Sequence, residues 1–337
     1  MKIAFFEIEP WEADYVKERL PGYEVWTSEE KLTKETLPKE LDFDAVSVFV
    51  GSKVTKEVLD QLLDIRVLTT RSTGFDHIDL TAAKEKGVRV GYVPGYGDNT
   101  VAEFAFGLIL DLAKKIYWGF DRIRETGTFS FDGLQGFDLK GKTIGIVGTG
   151  RIGMYMVKIA HGFDMKILAT DPMPRPELAA QYGFKYVPLD ELLSSSDIIS
   201  IHVPYLETTH HLINAGNISK IKKGALLVNT SRGAVVETDA LVKALHEGIL
   251  GGAGLDVLEE EGAIQDEKAL VLYGHPEEHN LKIILENHVL IDMPNVIITP
   301  HNAFNTKEAL QRILDMDLEN INSFFDKKDV KYPVPGN

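Results

Sequence analysis

Short apolar runs alternate with amphipathic stretches along almost the whole chain. In the first hundred residues Lys2 to Ile8, Asp44 to Val50 and Val67 to Arg71 are predicted strands, while Trp11 to Leu20 and Thr55 to Leu63 carry helical spacing. The alternation resumes with an apolar run at Lys142–Val147. Further strands are predicted near Met165 to Thr170, Asp197 to Val203, Ala225 to Thr230, Gly251 to Val257 and Val296 to Thr299. Strands that alternate with helices indicate parallel sheets with helices on both faces, so the chain reads as an α/β protein built on two doubly wound parallel sheets.

Val93-Pro94-Gly95-Tyr96-Gly97-Asp98-Asn99 is the clearest linker and marks a domain boundary. It leads into a predicted helix from Thr100 to Trp118 with apolar residues on nearly every side (Val101, Phe104, Phe106, Leu108, Ile109, Leu110). Such a helix needs cover from its own domain and from something else, which predicts a homodimer interface there. A last helix, Lys307 to Phe325, follows completion of the second sheet and is expected to cross back to the first domain.

Composition narrows the function classes. The 337 residues are 44% apolar and 26% charged, ordinary for a soluble two-domain protein. No apolar stretch approaches a membrane span, and Glu7 and Glu9 close off the first apolar run, so no secretory signal or membrane partner is expected and the cytoplasm is the expected compartment. With no cysteine there can be no disulfide, thiolate metal site or cysteine nucleophile. A formal net charge of −15 argues against nucleic acid as a partner, and an anionic substrate would need a local positive site.

The most specific local signal is Gly148-Thr149-Gly150-Arg151-Ile152-Gly153, where a predicted strand breaks into a turn and a helix start. The glycine spacing suits a dinucleotide: Gly148 permits the turn, Gly150 lets a pyrophosphate approach the backbone, and Gly153 packs helix on strand. The helix opening at Arg151 offers free N–H groups and a positive dipole end to an anion. Asp171, twenty-three positions past Gly148 at the end of the next strand, stands where an acid takes the adenine ribose hydroxyls of NAD.

Several other strand ends carry candidate chemistry. Arg71-Ser72-Thr73-Gly74-Phe75-Asp76-His77-Ile78-Asp79 reads equally as a glycine turn or a ligand loop. Arg232, in Asn229-Thr230-Ser231-Arg232-Gly233, is either a solvated arginine or a fork for a carboxylate. The acidic run Glu259-Glu260-Glu261 could supply a carboxylate partner to His301, a candidate general acid just past a third strand. No metal site is expected: His275-Pro276-Glu277-Glu278-His279 has a proline where a zinc-protease helix has glutamate, and the adjacent His210 and His211 would point in different directions on a regular helix or strand.

Taken together, these segments resemble the D-isomer-specific 2-hydroxyacid dehydrogenase family over nearly the whole chain. The blocks that carry the resemblance are Ser72 to Asp79, Val147 to Gly153 with Asp171, Asn229 to Gly233 followed by Gly254 to Glu261, and Thr299-Pro300-His301. It implies two Rossmann- and flavodoxin-like domains with a cleft between them: residues 1–98 plus 303–337 as a discontinuous substrate domain, and 99–302 as the NAD-binding domain. It implies an NAD-dependent oxidoreductase whose catalytic set is Arg232, Glu261 and His301, with Glu261 picked out because it stands five positions after Asp256. Arg232 would hold the substrate carboxylate and carbonyl oxygen, His301 would donate the proton, and Glu261 would keep that histidine charged.

By the same resemblance the backbone N–H groups of Thr73 and Gly74, with Tyr96, would complete the substrate site. Thr100, Arg151 and Ile152 would lie near the cofactor phosphates or nicotinamide, His202, Val203 and Pro204 would flank the adenosine, and Thr230 and Asp256 would complete the cofactor site, Asp256 at the nicotinamide carboxamide. Pro94-Gly95-Tyr96 and the long acidic insertion between Glu261 and His301 look most like the D-lactate dehydrogenase branch. Gly262, where proline is common, and Asn305, where lactate enzymes often carry tyrosine, depart from it. The alternatives are a hydroxypyruvate or glyoxylate reductase of the same family and an NAD-sensing interaction protein that keeps the fold.

Overall fold

The computed structural model describes residues 1–39, 41–262 and 280–335. The chain divides into two compact units, Met1–Tyr96 with Thr306–Asn337, and Gly97–Asn305. Both are α/β. The first holds strands β1 (Lys2–Phe5), β2 (Glu24–Thr27), β3 (Ala45–Val48), β4 (Val67–Thr70) and β5 (Arg89–Gly91), all parallel in the order β2-β1-β3-β4-β5. Successive side chains of a strand point to opposite faces. Ile3 and Phe5 accordingly pack with Leu314, Leu318 and Ile321 of the Lys307–Lys327 helix, and Ala4 and Phe6 with Val58, Leu59 and Leu62 on the other side. The strand pattern of the sequence overlooks β2 and β5. The first is an edge strand of half-exposed residues and the second is three residues long, so neither shows a clear apolar run.

Arg71, directly after β4, is the largest fully buried side chain among the described residues of this unit. Its guanidinium donates to Ser47 Oγ at 3.0 Å, Phe6 O at 2.7 Å and Glu7 O at 2.6 Å. Ser47 Oγ in turn donates to the buried Asp317 at 2.7 Å. Burial pushes the Asp317 carboxyl above its usual range, against the pull of Arg71. A charge in the interior needs such partners, and this one ties β1, β3, β4 and the last helix together directly before Ser72-Thr73-Gly74.

The second unit holds β6 (Thr143–Val147), β7 (Lys166–Thr170), β8 (Lys185–Tyr186), β9 (Ile198–Ile201), β10 (Ala225–Asn229), β11 (Leu250–Leu255) and β12 (Val296–Ile298). They are parallel throughout, in the order β12-β11-β10-β9-β6-β7-β8, with an apolar core on each face. Successive strands are added to one side of β6 up to β8 and to its other side from β9 onward, and at such a switch in strand order an open parallel sheet leaves a crevice at its carboxyl edge.

The helix predicted from Thr100 to Trp118 is instead two helices, Asp98–Lys114 and Ile116–Thr126, broken at Lys115 with φ 57°. The first has only Gly97 as N-cap, but Phe106, Leu108, Ile109 and Leu112 are buried in its own unit's core. At about 1.5–3 kcal/mol per side chain, that burial far exceeds the ~1 kcal/mol of a good cap. Val101, Phe104 and Leu110 of the same helix stay half-buried. More exposed apolar side chains follow at Ile116 and Tyr117, inside the span predicted as one helix, and at Phe120, Ile123, Phe129 and Phe131 beyond it.

Candidate active site

Because every strand of the seven-stranded sheet runs the same way, the segments that follow them share one edge. After β6 come Gly148 to Gly153, after β7 Asp171, after β9 His202 to Pro204, after β10 Thr230 to Arg232, after β11 Asp256 to Glu261, and after β12 Thr299 to His301. Six sequence-distant segments are collected there by topology alone.

His301 Nδ1 and Glu261 Oε1 are 2.7 Å apart, and both side chains are about one-third exposed. His301 adopts φ 51°, a conformation that costs a non-glycine residue on the order of 1 kcal/mol and that clusters at functional sites. The cost is offset by Asp256. That buried carboxylate accepts Thr299 Oγ1 at 2.6 Å, Asn302 N at 3.0 Å and Ala303 N at 2.9 Å, pinning the turn on both sides of the histidine. Burial raises its pKa, and these hydrogen bonds work against the rise.

Arg232 is half-buried, with Nη1 donating to Ser231 O at 2.7 Å. Its turn is clamped by the buried Asn229, which accepts Ser231 N at 3.0 Å and Ser231 Oγ at 2.7 Å and donates to Arg232 O at 2.9 Å.

The profile of the "D-isomer specific 2-hydroxyacid dehydrogenase, NAD binding domain" matches residues 106–303. The chain belongs to the D-isomer specific 2-hydroxyacid dehydrogenase family. A 2-hydroxyacid dehydrogenase homolog of Zymomonas mobilis is 40% identical over 326 residues, covering 95% of this chain and 96% of that one. A glyoxylate reductase of Thermofilum pendens is 40% identical over 293 residues, 86% of this chain and 80% of that one. D-lactate dehydrogenase from Aquifex aeolicus, solved in complex with NAD and lactic acid, superposes with a TM-score of 0.87 at 36% identity and covers 99% of both chains.

Members of this dehydrogenase family bind NAD, and the residues present fit it. A Cβ at Gly148 (φ 93°) would lie 2.6 Å from His202 O, and one at Gly153 would overlap Gly148 O, whereas one at Gly150 would meet nothing within 4 Å. The turn is therefore tight at two glycines and open at the one expected to face the pyrophosphate. Three buried polar atoms on the same edge, His202 Nδ1, Thr230 Oγ1 and Asn302 Oδ1, have no protein partner among the described residues. A bound group carrying amides and hydroxyls would satisfy them. Burial pushes His202 down to about 3, so this imidazole stays neutral at working pH, donating or accepting at Ser200 Oγ, 2.8 Å away.

Asp171 accepts Thr149 N at 2.7 Å, Thr149 Oγ1 at 2.9 Å and Met173 N at 2.9 Å. Burial would raise its pKa, but these bonds and nearby Arg175 hold it below the usual carboxylate range. The carboxylate is thus charged next to the glycine turn, and a phosphate placed beside it would be repelled. The protein is expected to use NADH at least about tenfold more efficiently than NADPH, roughly 1.4 kcal/mol, and Asp171→Ser is expected to narrow that ratio. Equal kcat/KM with both coenzymes would show that Asp171 does not face the ribose.

The remaining positions are more scattered. Thr100 is buried in the first turn of the Asp98–Lys114 helix, and Arg151 lies 3.4 Å from Asp98. Ile152 packs on the core, Val203 abuts Gly148, and Pro204 O accepts Thr209 Oγ1 at 2.7 Å. Thr73, Gly74 and Tyr96 belong to the first unit. There Thr73 Oγ1 donates to Val93 O at 2.9 Å, bringing their two loops side by side, and Arg312 Nε donates to Tyr96 O at 2.6 Å.

His210 and His211 do not point apart: their rings stack with centroids 3.9 Å apart, because His211 at φ 48° breaks the alternation of a regular strand. No group of three or more potential metal ligands occurs among the described residues, and His275 to His279 lie outside them. Nor is any described helix long and apolar enough to cross a membrane. Asn229, Thr299, Glu259 and Arg71 stand inside the sequence blocks singled out above, but the sequence did not show the roles they have here. Only Arg71 left a signal, a charge at the end of an apolar strand.

Proposed function

We propose that this protein is a D-lactate dehydrogenase, interconverting pyruvate and D-lactate. The observation that carries the reading is the Glu261–His301 pair at 2.7 Å, held at the carboxyl edge of the NAD-binding sheet in a chain alike throughout to an enzyme solved with NAD and lactic acid. Arg232 binds the substrate carboxylate and polarises the carbonyl oxygen through its planar fork. NADH, when bound, supplies the hydride that reaches the carbonyl carbon. With Nδ1 committed to Glu261, His301 gives the substrate oxygen a proton from Nε2 and takes it back in the oxidative direction. Glu261 fixes the ring and balances the imidazolium charge.

Arg232→Lys is expected to lower kcat/KM at least about tenfold, roughly 1.4 kcal/mol, because an ammonium cannot make the two-pronged contact. Parental kinetics in this variant would remove Arg232 from the substrate site. The functional reading is tested by NADH oxidation over pyruvate, hydroxypyruvate, glyoxylate and bulkier 2-keto acids, with product chirality determined. Pyruvate as best substrate and D-lactate as product support it. The likeness to the Thermofilum pendens enzyme favours a glyoxylate or hydroxypyruvate reductase as the second reading, which the same panel separates.

The homodimer is assigned to Ile116, Tyr117, Phe120 and Ile123, large apolar side chains left about half-exposed within one short helix, since exposed apolar surface marks an interaction site. Phe120→Glu is expected to give monomers in sedimentation at micromolar concentration. A monomeric parent protein would rule out the assignment.

A further inference from the structure

The acidic run after β11 builds two glutamate–histidine pairs. Glu261 takes His301, and Glu259, two residues earlier, takes His211 Nε2 at 2.8 Å. Glu259 is the deeper of the two acids, its side chain 8% exposed. Its second oxygen accepts Thr238 N at 3.1 Å and Thr238 Oγ1 at 2.5 Å, and its carbonyl accepts Asn287 Nδ2 at 2.7 Å.

These partners belong to the segments that position Arg232. His211 N donates to Ala234 O at 2.8 Å, Ile213 N to Val235 O at 3.2 Å, and Glu237 N to Ile213 O at 2.9 Å, so residues 211–213 run beside 234–237. A Cβ on Gly233 would overlap the Leu258 carbonyl and Glu259 N, so the backbone following Arg232 lies directly against the run that carries Glu261. Leu258 N also lies 3.3 Å from Glu261 Oε2. The loop from Arg232 to Thr238 is therefore held at one end by backbone packing on Leu258–Glu259 and at the other by the Glu259 carboxylate. A simple helix cap would need only Thr238, the first residue of the Thr238–His246 helix. The carboxylate reaches past it to His211, and a buried acid persists only where it is fully partnered.

We propose that Glu259 is a positioning residue, whose buried carboxylate, shared by His211 and Thr238, sets the Arg232 loop against the Glu261 loop. The proposal rests on the roles given above to Arg232 and Glu261. It does no proton chemistry; it fixes where the substrate carboxylate is gripped relative to the proton donor, a register to which catalysis is sensitive on the scale of 1 Å.

Two variants separate charge from reach. Glu259→Gln cannot accept on both sides at once, and Glu259→Asp keeps the charge but is one methylene too short to span both loops. Each is expected to raise KM for the 2-keto acid at least about fivefold while leaving the NADH dissociation constant within about twofold and the pH at which activity falls unmoved. Amide hydrogen exchange on the NAD-free protein is expected to quicken at residues 233–238 and to stay as in the parent within β9, β10 and β11. That readout needs no turnover, so a parent enzyme inert to every 2-keto acid sinks the functional reading and leaves exchange to decide this one. Parental KM and parental exchange with only a lower Tm would overturn the proposal. A shifted pH profile would overturn it too, because Glu259 and His211 would then themselves handle the proton.

Discussion

Replacing His301 by glutamine is expected to lower kcat/KM about 10²–10⁴-fold, the usual contribution of a positioned general acid. Glutamine can keep a hydrogen bond to Glu261 but has no proton to give. The loss should fall on kcat more than on NADH binding, since the Nδ1 side of the ring is turned to Glu261, while the orphaned atoms suited to the cofactor belong to His202, Thr230 and Asn302. A steady-state comparison with parental enzyme checks this. A variant within tenfold of the parent would mean that His301 is not the proton donor, and would move attention to the second pair, Glu259 and His211. The pH profile gives an internal control, because His202, at about 3, cannot account for any change between pH 5 and 8.

The largest stability effect is expected at Arg71. Arg71→Met keeps the stem but leaves Phe6 O and Glu7 O without their donor and Asp317 without its counter-charge, at a cost of about 3–5 kcal/mol, the scale of a buried charge left uncompensated. The deficit should depend on pH. Burial already raises the Asp317 pKa, and without Arg71 nothing of opposite charge in this cluster opposes the rise. A carboxyl whose folded pKa lies above its unfolded value, about 3.9, costs nothing while both states are protonated. It costs progressively more as pH rises from there towards the folded value. Urea unfolding at acid and neutral pH should therefore show the smaller deficit in acid. The double variant Arg71→Met with Asp317→Leu should recover part of the loss. A single variant as stable as the parent at neutral pH would show that the cluster contributes no net stability.

The two pairs after β11 illustrate how far the chain alone could be read. Glu259, Glu260 and Glu261 are chemically identical in sequence, and spacing offers no reason to pair one of them with His301, forty residues on, or another with His211, forty-eight residues back. The family pattern singles out Glu261. The partners of Glu259 were invisible, because they come from two other loops that meet it only when β9, β10 and β11 lie side by side. Asn229 and Thr299 escaped for the same reason: each is an unremarkable polar residue until the neighbouring strand end gives it something to hold.

Local physics wrote the apolar strands, though not the short or half-exposed β2, β5 and β8, the glycine turn at Gly148 to Gly153 and the acid at Asp171 into the sequence, since apolar runs, missing Cβ atoms and short separations act within one βαβ stretch. The same locality made the parallel α/β class legible, because alternating strands and helices admit few other arrangements. Tertiary structure decided what depends on distant neighbours. The break at Lys115 and the cover given to part of the Asp98–Lys114 helix within its own unit depend on the core it joins. The burial of Arg71 depends on a carboxylate 246 positions away. The division of the acidic run into one brace and one catalytic partner depends on strand order. Desolvation and hydrogen bonding set those roles, and both are fixed only when the sheet closes around them.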